Sequence, residues 1–257
     1  MKMTNEDIVN TALRQSAIDS SCLPQDFCRK ENVVTLSKAN VNARRYLELP
    51  FICDLCSYGS NIVASVSEEL VDVVKEYINR YTVEHCFETP NLHVLMDKLR
   101  PLGYNICFMA EYFLPDTKLL ISRECRYKTH LLMPEDFAGL YLPEWSNALC
   151  EKRKHLDMLC LGAFDNGKLI GLAGASADCD TMWQIGIDVL PDYRRQGVAA
   201  ALTSGLALEI IKRGKVPFYC CAWSNIASAR NAVLSGFRPS WVQVTAKKIE
   251  YIDQMNN

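Results

Sequence analysis

The stretch VLPDYRRQGVAAALTSGLALEIIKRGK, from Val189 to Lys215, constrains the fold more than any other part of the chain. A strand-like run, MWQIGIDV (182–189), leads straight into it. Val198, Leu202, Leu206 and Ile210 then recur at helical spacing, and Lys212, Arg213 and Gly214 form a helix stop. The two elements are joined by Arg194-Arg195-Gln196-Gly197. First-turn amides of a helix lack intrahelical partners, and the helix dipole places partial positive charge there. A glycine lets backbone approach a ligand, and arginines add donors suited to phosphate. The junction therefore predicts a phosphate cradle. Neither a GxxxxGK[ST] nor a GxGxxG pattern occurs, so it is not the loop of a nucleoside triphosphatase or of a dinucleotide fold.

The surrounding pattern is α/β. Strands are expected at 127–133, 159–163, 169–175, 182–189, 217–223 and 241–247, with Asn166-Gly167 as a hairpin turn. One or two helices are expected over 134–156, broken near Pro143, and another over 226–235, closed by Gly236. The first half reads as a smaller α/β unit. Helices are expected over 5–19, over 65–81 with Ser65 and Glu68 at capping-box spacing, and from Pro90 to Gly103. Strands are expected at 31–36, 61–66, 82–87 and 107–113. LPDTK (114–118) is the candidate linker, which predicts domains at 1–120 and 126–257.

A chain of 257 residues with 49% apolar and 23% charged residues has the composition of a soluble globular protein. Its net charge of -2 gives no electrostatic case for nucleic acid or an anionic membrane. The polar start MKMTNEDIVN has no apolar segment of a secretory signal, and no run reaches a membrane span. The twelve cysteines read as reduced thiols of a cytoplasmic protein, most of them core residues. Cys53–Cys56 is a CxxC without a second pair at ligand spacing, so no metal site is assigned.

Arg194-x-x-Gly197-x-Ala199 resembles the pyrophosphate-binding signature Q/R-x-x-G-x-G/A of the GNAT N-acetyltransferase superfamily. Asn225, Ser228, Gly236 and Phe237 fit a second stretch of that family, an Asn-initiated helix ending in Gly-Phe. The resemblance covers 126–257 and implies a GNAT acyltransferase fold with a mixed, splayed central sheet. It implies acetyl-CoA as cofactor, with coenzyme A as product. The acceptor would be a small-molecule or peptide amine, attacking the thioester directly, in a monomer or homodimer.

By position, the backbone amides of Arg195, Gln196, Gly197, Val198, Ala199 and Ala200 would hold the pyrophosphate, beside Arg194. Ile187, Asp188 and Val189 would run along the pantetheine arm as an added strand does. An amide near Gly186 or Ile187 would serve as oxyanion donor. Asn225 and Ser228 would contact the cofactor, and Asn225 reads equally as a helix N-cap.

Two departures bear on mechanism. Many members carry a tyrosine at the position of Ala232; water, Ser224, Cys221 or Tyr219 are the candidate replacements as proton donor, with the alternative that none is needed because thiolate is a good leaving group. A strand glutamate of some relatives is Trp183 here. Glu144 and Asp180 are then the candidate bases, with Asp188 a third that reads equally as a structural hydrogen bond. Trp145, Trp183 and Trp223 are candidates for an acceptor cleft, with core packing as the alternative for at least two. A non-catalytic acyl-CoA-binding module is the rival reading. The first half repeats a strand-helix-strand-helix order without an Arg/Gly loop, having Val66-Ser67-Glu68-Glu69 there. It is read as a degenerate GNAT-like domain or as an unrelated α/β unit.

Overall fold

The computed structural model describes residues 3–257. In chain order the elements are α1 (Asn5–Asp19), β1 (Val33–Leu36), β2 (Cys53–Ser57), β3 (Val63–Val66), α2 (Val71–Arg80) and α3 (Thr89–Leu99). Next come β4 (Tyr104–Pro115), β5 (Lys128–Leu132), α4 (Pro134–Phe137), β6 (Asp157–Asp165), β7 (Lys168–Ser176) and β8 (Met182–Val189). The chain ends with α5 (Val198–Lys212), β9 (Val216–Ala222), α6 (Ile226–Leu234), β10 (Phe237–Lys248) and α7 (Ile249–Asn256). Two compact units form. One takes residues up to Ala12 with Phe113–Pro239, the other Leu13–Tyr112 with Ser240–Asn257. The expected division at 1–120 and 126–257 differs from this chiefly at the chain ends, which exchange units.

In the first unit β5, β6, β7 and β8 are antiparallel neighbours, and β9 joins β8 in parallel. Side chains of a strand alternate between faces. Leu159, Ala163, Ala173 and Ile185 thus pack under α5 with Leu202, Leu206 and Ile210, and a β-bulge turns Ile170 to the same side. Cys160 and Leu172 face the other way, onto Phe137, Trp145, Ala148 and Leu149. The Asn166-Gly167 turn has φ of 48° and 84°, as a two-residue hairpin between Asp165 and Lys168 demands. The helices expected over 134–156 shrink to the single turn of α4 and short 3-10 turns at Pro143–Trp145 and Glu151–Leu156. LPDTK, next to the boundary at Tyr112/Phe113, is the end of β4 and the anchored turn that follows it. Asp116 is buried, its N–H donates to the Gly236 carbonyl, and its carboxylate pairs with Arg238 at 2.6 Å.

In the second unit β1 and β3 are parallel, β2 is antiparallel to β3 and to β10. Cys53, Leu55, Ala64 and Val66 pack against α2 and α3 through Val74, Ile78, Leu92 and Leu95. On the opposite face of β2, the buried Asp54 carboxylate accepts from Gln243 Nε2 (2.9 and 3.0 Å) and Thr245 Oγ1 (2.6 Å). Nearby Arg44, 2% exposed, is ion-paired with buried Asp19.

Several local expectations gave way. Residues 82–87 form no strand: Cys86 N–H bonds to Thr82 O, an α-type turn, and Phe87 N–H to Glu84 O within a 3-10 turn at His85–Phe87. Ser65 belongs to β3, and α2 begins at Val71 after a 3-10 turn, so the Ser65–Glu68 capping box does not form. Strand β2 and helix α7 were not expected. Gly103 takes the left-handed conformation predicted at its helix end, φ 81°.

Candidate functional site

Strands β8 and β9 pair only through Met182–Gln184 with Val216–Phe218. Beyond Gln184 and Phe218 they diverge, and a cavity of about 850 Å³ opens between them. One wall is β8 from Gln184 to Val189, the other Tyr219–Ala222 of β9. Its far end is the Arg194–Ala200 loop with the N-terminus of α5, and α6 contributes Ala227, Arg230, Asn231 and Leu234. The splay expected from the sequence is present.

Eleven of the twelve expected cofactor residues line this one cavity: Ile187, Asp188, Val189, Arg194, Arg195, Gly197, Val198, Ala199, Ala200, Asn225 and Ser228. Gln196 does not. It braces the loop instead, taking a bond from Tyr127 Oη at 2.7 Å and giving one to Asp192 O at 3.1 Å. Arg194 Nε donates to Val189 O (2.9 Å), tying the loop back to the end of β8. Arg195 has φ 60°, a left-handed conformation unusual outside glycine, and Gly197 follows at φ 80°. A Cβ on Gly197 would meet nothing within 4 Å. No side chain caps α5, so its first-turn amides have neither an intrahelical nor a capping partner.

Asn225 caps α6, its Oδ1 accepting from Ser228 N–H at 3.1 Å, and it also lines the cavity. The Ser228 hydroxyl lies 2.7 Å from that of Tyr219. Burial pushes the Tyr219 phenol above its ordinary value, so it stays protonated at neutral pH. Of the four replacements considered for Ala232, Tyr219 and Cys221 line the cavity, and Ser224 does not. Ala232 itself is fully buried.

The candidate bases fare differently. Glu144, in an exposed 3-10 turn, and Asp180, exposed beside β8, both lie outside the cavity wall. Their local sequence placed them near the mouth, but the short turns of 134–156 and the turn before Met182 carry them to the surface. Asp188 is the carboxylate in the wall, and it is occupied: Oδ2 accepts from Asn147 N (2.8 Å) and Ala148 N (2.9 Å), Oδ1 from Asn147 Nδ2 (2.6 Å). Trp145 and Trp183 are buried in the cores and Trp223 is half-exposed; none lines the cavity. Cys53 and Cys56 are buried in β2, where burial pushes both thiols up. Among the described residues no group of His, Cys, Asp or Glu is placed to hold a metal ion. No helix among them is long and apolar enough to cross a membrane.

Sequence reasoning missed Asn147, Gln184, Arg230, Asn231 and Leu234. The α6 residues continue the helical spacing set by Ala227, so that face was recoverable. Asn147 carries no local signal.

The description of the acetyltransferase (GNAT) family matches residues 126–230 through its family model. These residues are a GNAT acetyltransferase domain. The GNAT match ends within α6 and includes the loop, both diverging strands and α5. The chain is also similar to solved structures. A GCN5-related N-acetyltransferase-like protein from Streptococcus suis is 20% identical over 62% of this chain and 69% of that one, TM-score 0.45. A GCN5-related N-acetyltransferase from Kribbella flavida is 14% identical over 61% and 63%, TM-score 0.47. A GNAT-family acetyltransferase from Colwellia psychrerythraea is 16% identical over 62% and 63%, TM-score 0.43. The chain spans about two thirds of the length of these three structures. No curated protein matches it at a significant level.

Proposed function

We propose that this chain is an acetyl-CoA-dependent N-acetyltransferase that moves the acetyl group to a primary amine by direct attack on the thioester. The single observation that carries this reading is the continuity of the cavity from the Arg194–Ala200 loop into the opening between β8 and β9. The loop amides and arginines would hold the diphosphate, and the pantetheine arm would follow β8 from Val189 past Ile187. The thioester would then reach the narrow end near Gly186, where a backbone amide can polarise its carbonyl. Holding donor and amine together removes the need for a covalent enzyme intermediate. The buried thiols fit a reducing compartment such as the cytoplasm.

A titration of the protein with coenzyme A by calorimetry, followed by thiol release from acetyl-CoA across a panel of amines, tests the reading. Binding in the micromolar range and amine-dependent thiol release are expected. Arg195→Glu should weaken acetyl-CoA binding at least tenfold; an unchanged affinity would put the cofactor elsewhere.

The second reading is an acyl-CoA-binding module without turnover. It is favoured by the cavity wall, whose carboxylate, Asp188, is committed to three hydrogen bonds. Tight binding with no release of thiol on any acceptor would decide for it.

A further inference from the structure

Among the described residues the cavity wall holds one carboxylate, Asp188, and no histidine. That carboxylate serves the scaffold. It accepts from Asn147 N, Ala148 N and Asn147 Nδ2 at 2.6–2.9 Å, which fills three of its about four lone-pair positions. The segment it holds has little room to move. A Cβ on Gly174 would overlap the Ala148 carbonyl oxygen, and one on Gly186 the Asn147 carbonyl oxygen, so the Asn147–Ala148 backbone lies directly on β7 and β8. Trp145 and Leu149, both buried, anchor it from its other side.

The other titratable groups of the wall are three arginines, two phenols and two thiols. Arg194, Arg195 and Arg230 are donors only. The bond to Asp165 raises the Tyr193 phenol, and burial raises that of Tyr219. Cys220 accepts from Gln184 Nε2 at 3.1 Å, and Cys221 is buried; an ordinary thiol or phenol keeps its proton at neutral pH. Glu144 and Asp180 lie outside the wall. An ammonium has no lone pair with which to attack a thioester, and here it meets no group placed to take its proton. A neutral amine needs no base in sum. Its nitrogen forms the C–N bond and the C–S bond breaks; nitrogen loses one proton and sulfur gains one, leaving an amide and a thiol.

We infer that the acceptor is a weakly basic primary amine, already neutral near pH 7, of the class of an α-amino group beside an amide and not an alkylamine of the lysine kind. This rests on the acetyltransferase reading above and adds the acceptor class to it. An α-amino group has an ordinary pKa of about 8 and a lysine amine one of about 10.4, so at pH 7 the neutral fraction of the first is roughly two hundredfold larger.

The test follows thiol release from saturating acetyl-CoA between about pH 6 and pH 9.5 with glycinamide, trialanine and ethylamine as acceptors. The first two carry an α-amino group, and ethylamine is about as basic as a lysine side chain. At pH 7, kcat/KM for the better of the first two should exceed that for ethylamine at least tenfold, after allowing for the greater nucleophilicity of the more basic amine. It should level off near the acceptor's own pKa of about 8, while that for ethylamine climbs about tenfold per pH unit to the end of the range. Ethylamine used as well as either at pH 7 overturns the inference. So does an ethylamine profile that levels off below about pH 9, the mark of a base on the protein. In both cases thiol is still released and the acetyltransferase reading stands. If no acceptor releases thiol, both fall.

Discussion

The hydroxyl oxygens of Tyr219 and Ser228 are 2.7 Å apart, one carried by β9 and the other by α6. Tyr219 is ringed by Phe113 and Phe237 at centroid distances of 6.3 Å each, and with Ala232 it belongs to the core beneath the cavity. A larger side chain at 232 would compete for that space. The pair places a protonated phenol in the wall of the cavity that would receive the thioester, where a departing thiolate can take a proton.

Tyr219→Phe should therefore lower turnover by about a hundredfold while changing coenzyme A affinity less than threefold. An acetyl thioester of an aryl thiol, whose thiolate leaves without protonation, should restore most of the rate. Steady-state kinetics with both donors check this. An equal defect with both would assign Tyr219 to packing alone.

Gly197→Ala separates cradle from scaffold. The position is left-handed but open, with no atom within 4 Å of the added methyl. Stability should drop by only about 1 kcal/mol, the conformational cost of that backbone for alanine. Coenzyme A affinity should drop more than tenfold, because the methyl enters the space in which a diphosphate would meet the amides. Thermal unfolding and calorimetry give the two numbers, and a variant that binds normally would contradict the cradle.

Asp54 predicts an acid-side gain in stability. Burial is the main cause that raises its carboxyl to about 6, against the bonds from Thr245 and Gln243 and the charge of Arg44, which lower it. The unfolded value is about 3.9. Between these values the native state holds a proton that the unfolded chain does not, so stability falls as pH rises from about 4 to 6 and stays low above. The shift corresponds to about 3 kcal/mol at most. Asp54→Asn, whose amide oxygen still accepts from Thr245, should flatten this dependence. Urea denaturation across pH 4–7.5 measures it; a wild type no less stable at pH 7 than at pH 4.5 would count against it.

Arg44 is the counter-charge of that face. It pairs with Asp19 and lies 5.4 Å from the Trp241 ring and 5.8 Å from the Tyr112 ring. Arg44→Met leaves Asp19 buried without its cation and should destabilise the protein by about 3–5 kcal/mol. Chemical denaturation checks this, and the double variant with Asp19→Asn should recover part of the loss.

What was legible in advance follows the range of the forces involved. Strand β8, helix α5, the Asn166-Gly167 hairpin and the Asn225 cap were read within a residue or so, because periodicity, turn chemistry and caps are set by neighbours in sequence. CDLCS at 53–57 escaped because all five residues are buried and so show no alternation. TVEHCF at 82–87 misled because short apolar runs suit a strand or a turn, and only a neighbouring strand edge decides between them.

The sequence by itself determined a βα junction with two arginines and a glycine ahead of the helix, and the strand and helix that carry it. Only the tertiary structure decided what surrounds that junction. It removed Glu144 and Asp180 from the cavity, committed Asp188 to Asn147 and Ala148, and brought Tyr219 to Ser228. The cavity wall is assembled from strands, a helix and a loop far apart in the chain, and their meeting depends on packing and on glycines small enough to let backbone touch backbone. No local pattern encodes that contact.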